Sequence, residues 1–117
     1  MEREEFEKIV EEEYDALPDL FRATMENIRI IVEDLPSAGR KTRGMLLGEY
    51  MGIPLTKRGV DYGMYPVVPD TITLYKRNLE SLANVEPDLR RHIRETLIHE
   101  IGHYFGMSEA EIRRAGY

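Results

Sequence analysis

Hydrophobic and polar positions along the chain alternate between helical and strand-like spacing. From Arg3 to Leu17 the apolar residues Phe6, Ile9, Val10 and Tyr14 recur at helical intervals, with acidic residues covering the other face. Pro18 ends that helix or opens a short second one over Asp19 to Met25. Ile28, Ile30, Ile31 and Val32 form a β-branched run of the kind found in buried strands, closed by Asp34 and Pro36. Ser37 to Thr42 reads as a loop, and Gly44 to Gly52 as a candidate strand turned by Gly52-Ile53-Pro54. Lys57 to Pro69 contains Gly59, Gly63, Pro66 and Pro69, which makes it mostly loop. Thr71-Ile72-Thr73-Leu74-Tyr75 alternates polar and apolar residues and predicts a half-buried strand. That strand is either plain structure or an edge along which an extended peptide pairs. Leu79 to Leu82 suggests a short helix. The longest helix is expected from Pro87 to Phe105, with proline well placed in its first turn, and a last short helix follows Ser108. This order predicts an α+β fold with a small mixed or antiparallel sheet.

A length of 117 residues predicts one domain over residues 1–117, and no internal repeat is visible. With 42% hydrophobic and 32% charged residues, the composition is that of a folded chain rather than a disordered one. No apolar run reaches the length of a membrane span, and Met1-Glu2-Arg3-Glu4-Glu5 has no apolar stretch behind it to suggest a secretory signal. Cysteine is absent, which excludes disulfides and thiolate metal sites. Together these features predict a cytoplasmic protein without a membrane partner. The net charge of −6 repels phosphate backbones, so no nucleic-acid partner is expected. The one basic stretch, Arg40-Lys41-Thr42-Arg43, is short and reads as a solvated loop, with a binding patch as the alternative.

The segment with chemical content is His99-Glu100-Ile101-Gly102-His103. On a helix, a four-residue step puts two imidazoles on one face about a turn apart, within reach of one cation. Glu100 lies beside them around the helix, where its carboxylate can bond a water on the metal instead of the metal itself. Metal-assisted hydrolysis needs that division of labour between a Lewis acid and a base. Leu89, Ile93, Leu97, Ile101 and Tyr104 form the apolar stripe of the same helix, leaving His99 and His103 toward a cleft or solvent. The plain alternative is two histidines and an acid on a solvated face, which leaves their joint spacing unexplained.

Catalytic zinc usually takes three protein ligands and keeps one position for water. A glutamate from a helix far downstream has no room in this sequence. An extended motif, H-E-x-x-H-x-x-G-x-x-(H or D), instead turns the chain at the glycine and brings the third ligand back. Gly106 stands at that turn and Glu109 at the ligand position. Ser108 and Glu111 make a capping box for the last helix, with Met107 and Ile112 placed as its hydrophobic staple. Glu111 thus has a sufficient structural task, whereas Glu109 is either the third ligand or a favourable charge in a first helical turn. His92 shares a face with His99, but two turns separate them by about 10 Å, too far to share one ion. It reads as a surface histidine, with substrate binding as the alternative. Tyr104 belongs to the core, while Tyr62, Tyr65, Tyr75 and Tyr117 are phenols from which an oxyanion partner cannot be chosen by spacing.

The chain resembles the small bacterial zincin-like metallopeptidases, formerly a domain of unknown function. The likeness runs through the acidic first helix with Leu17-Pro18, Val32-Glu33-Asp34-Leu35-Pro36, Ile72-Thr73-Leu74-Tyr75 and His99 to Gly106. The family pattern is H-E-x-x-H-x-x-G-x-x-D. It implies a minimal zincin-like domain with a long active-site helix and one zinc ion. His99 and His103 match the histidine ligands, Glu100 the catalytic acid and Glu109 the aspartate, with one methylene more. The implied activity is hydrolysis of a peptide or protein substrate. The alternative is a catalytically weak or inactive zincin scaffold that serves as a binding or regulatory module, with a structural or absent metal. A chain of this length has little material for walls around the site. An open cleft is therefore expected, with a homo-oligomer or partner protein as one way to complete it.

Overall fold

Helix α1 (Arg3–Asp15) lays Phe6, Ile9 and Val10 into the core, as its spacing predicts. The structure, a computed structural model, describes residues 1–18, 28–37, 45–52 and 70–116. The short helix expected over Asp19 to Met25, the basic stretch Arg40 to Arg43, the loop from Lys57 to Pro69, and Tyr62, Tyr65 and Tyr117 lie outside the described residues.

Among the described residues, three strands form a mixed sheet: β1 (Ile28–Glu33) runs parallel to β3 (Asp70–Tyr75), and β2 (Gly48–Met51) runs antiparallel to it. The order is β1-β3-β2. Of the two alternatives for Thr71–Tyr75, plain structure or a peptide-pairing edge, the sheet order favours the first, because this segment is the central strand. Val32 and Gly48 flank Leu74 on its two sides, so its backbone has no edge left for a peptide. Ile72 and Leu74 are fully buried and Thr73 and Tyr75 nearly so, which is why the polar–apolar alternation did not translate into one wet face. Conversely, the β-branched run at Ile28–Val32 occupies an outer strand, where Val32 alone is buried.

Helix α2 (Lys76–Ser81) follows β3 directly and buries Leu79. Helix α3 (Glu86–Tyr104) is 19 residues long and buries all five members of the expected apolar stripe, Leu89, Ile93, Leu97, Ile101 and Tyr104. Pro87 sits in its first turn beside Glu86 and Asp88, which favours the positive end of the helix dipole. Helix α4 (Glu109–Arg114) closes the described chain and buries Ile112.

Helices α1 and α3 are also joined through charge. The buried Glu13 carboxylate accepts from Arg90 Nη1 at 3.2 Å and Arg94 Nη1 at 3.0 Å. The sequence places every acid of α1 on its wet face; the two arginines, 77 and 81 residues away, turn Glu13 inward. None of the described helices is long and apolar enough to cross a membrane.

Candidate functional site

The last turn of α3 ends in a tight reversal. Phe105 keeps right-handed helical geometry, and Gly106 adopts φ 84°, a conformation that costs a side-chain-bearing residue about 1 kcal/mol or more. The Gly106 N–H donates to His103 O and the Met107 N–H to Gly102 O, both at 2.9 Å. This pair of bonds is the Schellman closure of a helix C-terminus. Two residues later Ser108 begins α4. Its Oγ accepts from the Glu111 N–H at 3.2 Å and its own N–H donates to Glu111 Oε1 at 3.3 Å, which is the predicted capping box. Helix α4 can fold back because Gly102 has no side chain: a Cβ there would lie 2.8 Å from Cγ1 and Cδ1 of Ile112.

Glu109, the first residue of α4, is thereby returned to the histidines. Its Oε1 lies 3.0 Å from His103 Nε2 and its Oε2 3.5 Å from His99 Nδ1. Glu111, occupied by the cap, takes no part. The three expected ligands are thus neighbours, with the carboxylate laid against both rings. Among the described residues no group of three His, Asp or Glu side chains is spread around a common point as a finished metal site. In kind, two imidazoles and a carboxylate suit a divalent first-row ion, and all three side chains are open to solvent on this face.

Glu100 lies deeper, only 8% exposed. Burial holds its carboxyl above the usual carboxylate range, an effect opposed by His103 and by the backbone N–H of Tyr50 and reinforced by the nearby Glu109. Its Oε1 is 3.4 Å from His103 Nδ1. Below it, Tyr104 is core as expected and meets the Tyr50 ring edge-on, with centroids 5.9 Å apart. The Tyr75 hydroxyl donates to Glu49, at 3.2 Å, and is spent there.

A cleft of about 270 Å³ opens beside Glu100. Leu46, Leu47 and Gly48 line its strand side. His92, Glu95 and Thr96 continue its helix side beyond His99 and Glu100. These helix positions form one stripe, so His92, read from spacing as a surface residue, is a half-buried wall of the same cleft. Gly48 brings the strand close against the helix: a Cβ there would meet Thr96 Cγ2 at 2.6 Å and Thr73 O at 3.1 Å. A lone glycine inside a strand pattern signals such a close approach. The Tyr50 N–H had no signal at all, since a backbone donor looks the same at every position.

The family model of zincin-like metallopeptidases matches residues 25–117. A solved structure of a conserved hypothetical protein from Thermo thermophilus is similar in fold, with TM-score 0.58, 24% identity and 98% of each chain covered. No curated protein matches. With the family model spanning most of the sequence, the chain belongs to the zincin-like metallopeptidase family.

Proposed function

We propose that this chain is a zinc-dependent peptidase in which His99, His103 and Glu109 hold one ion and Glu100 handles the protons of the reaction. The observation that carries this reading is the contact of one carboxylate, Glu109, with both rings, while the second carboxylate, Glu100, stays buried beside them. Glu109 stands 3.0 Å from one ring and 3.5 Å from the other, close to the about 3.3 Å that separates ligands on tetrahedral zinc. Zinc, when bound there, would acidify a water and polarise the scissile carbonyl. Glu100 would accept the water's proton and deliver it to the leaving amine. Burial raises its pKa, the direction that lets a carboxylate return a proton as well as take one. His103 positions that carboxylate through Nδ1, and the Tyr50 N–H anchors it from β2.

Zinc titration of the purified chain against His99→Ala tests the metal claim: the parent takes up one equivalent and the variant does not. Glu100→Gln should keep the zinc and lose cleavage of a quenched fluorescent peptide library. Equal uptake by parent and His99→Ala would sink the proposal.

The second reading, a zincin scaffold that binds a partner without efficient turnover, draws on the same His103–Glu100 contact, which engages the base. The fourth coordination position separates the two. Water there supports hydrolysis, and a fourth side chain supports a structural metal.

A further inference from the structure

The cleft beside Glu100 has a chemical character of its own. Its strand side offers Leu46 and Leu47, and Gly48 on that side packs closely against Thr96 of the helix side. Its helix side carries the carboxylates of Glu95 and Glu100, and among the described residues no lysine or arginine lines it. Arg91 stands on the rim, 3.6 Å from Glu95, and both side chains are about half exposed. An exposed pair of this kind on successive helical turns is weak, and an incoming cation can replace it. Glu109, beside His99, adds negative charge on a chain whose net charge is −6. A purely apolar side chain would leave the Glu95 rim unused, and an acidic one would be repelled by the Glu95 carboxylate.

We propose that this cleft seats a basic side chain of the substrate, its aliphatic stem against Leu46 and its cationic end at Glu95. Lysine and arginine combine those two halves. The inference rests on the peptidase reading for the identity of the ligand as a peptide, and Glu95 would act as a specificity determinant, remote from the proton-transfer chemistry.

The test is a nuclear magnetic resonance titration of the isotope-labelled chain, metal-free and zinc-supplemented, with the N-acetyl amides of arginine, leucine and glutamate at millimolar concentration. The arginine amide should shift the backbone signals of residues 46–48 and 92–96 and bind about five-fold more tightly than the leucine amide. Glu95→Gln should bring arginine down to the level of leucine, and Glu95→Lys should turn the preference toward glutamate. Equal affinities, a preference for leucine or glutamate in the parent, shifts elsewhere, or no shift with any of the three overturns the proposal. Because binding is read without turnover, it can fail while Glu100→Gln still abolishes cleavage. It can equally hold in a chain that cleaves nothing.

Discussion

His103 Nε2 and Glu109 Oε1 lie 3.0 Å apart, which joins the last turn of the long helix to the first residue of the short one. That contact depends on four local features in series: the Schellman closure at Gly106, the Ser108 cap, the bare face of Gly102 and the burial of Ile112. None of them is a candidate ligand, yet together they decide which acid reaches the histidines.

Glu109 and Ser108 should therefore separate metal binding from stability. Glu109 is 53% exposed at its side chain, so Glu109→Ala should leave the melting temperature of the metal-free chain nearly unchanged. It should weaken zinc by about a hundredfold and abolish the zinc-induced rise in melting temperature. Ser108→Ala should cost about 1 kcal/mol of stability, with a much smaller effect on zinc. Zinc titration and thermal unfolding on both variants check the pair. If Ser108→Ala weakened zinc more than Glu109→Ala, the ligand assignment would be wrong.

The parts of this site legible in the sequence are those set by short-range rules. The step from His99 to His103, the turn at Gly106 and the capping box at Ser108–Glu111 all act within a few residues, and each appears in the structure. What could not be read depends on partners far along the chain. Glu13 turns inward because Arg90 and Arg94 meet it from another helix. β3 is central because strands before it in sequence flank it on both sides, and alternation alone cannot distinguish a central strand from an edge. His92 was placed on the correct face, but the cleft it lines exists only once β2 packs against α3.

Gly106→Ala should destabilise the chain by about 1 kcal/mol, because alanine resists the φ of 84° found there. Gly106→Asn should be milder, since asparagine tolerates that region. Urea unfolding of the three proteins measures the order, and alanine as stable as glycine would mean that the turn has another conformation.

Gly48→Ala should cost about 1–3 kcal/mol through overpacking, since the new methyl meets Thr96 Cγ2 at 2.6 Å and Leu74 Cδ2 at 3.2 Å. Thr96→Ser removes the nearer of those atoms and keeps the hydroxyl that donates to His92 O. The double variant should recover part of the loss, a coupling that a double-mutant cycle of unfolding free energies reads directly. Strict additivity would place the strain elsewhere.

Glu13→Ala should be among the more damaging changes on α1, at about 1–3 kcal/mol, because it leaves two arginines without the buried carboxylate between them. Glu12 also meets Arg90, at 3.4 Å, but is nearly half exposed, so Glu12→Ala should cost about 0.5 kcal/mol or less. Chemical denaturation of the two variants gives the comparison, and equal losses would remove the special role of Glu13.

Glu100 gives the chain a pH signature whose sign is fixed by burial. Its carboxyl is raised above 4.5 in the folded chain, so the folded state holds this proton to a higher pH than the unfolded state does. The folded form then binds more protons than the unfolded form between those two values. Stability contributed by this group falls as pH rises through that window, and the full cost remains above it. Glu100→Gln removes the ionisation and keeps the shape. In metal-free buffer the variant should melt higher than the parent at about pH 7, with the gap closing by about pH 4 as both become neutral. Thermal unfolding across that range is the measurement. A gap of constant size would assign the effect to packing or hydrogen bonding, and a more stable parent at neutral pH would contradict the buried-carboxylate account.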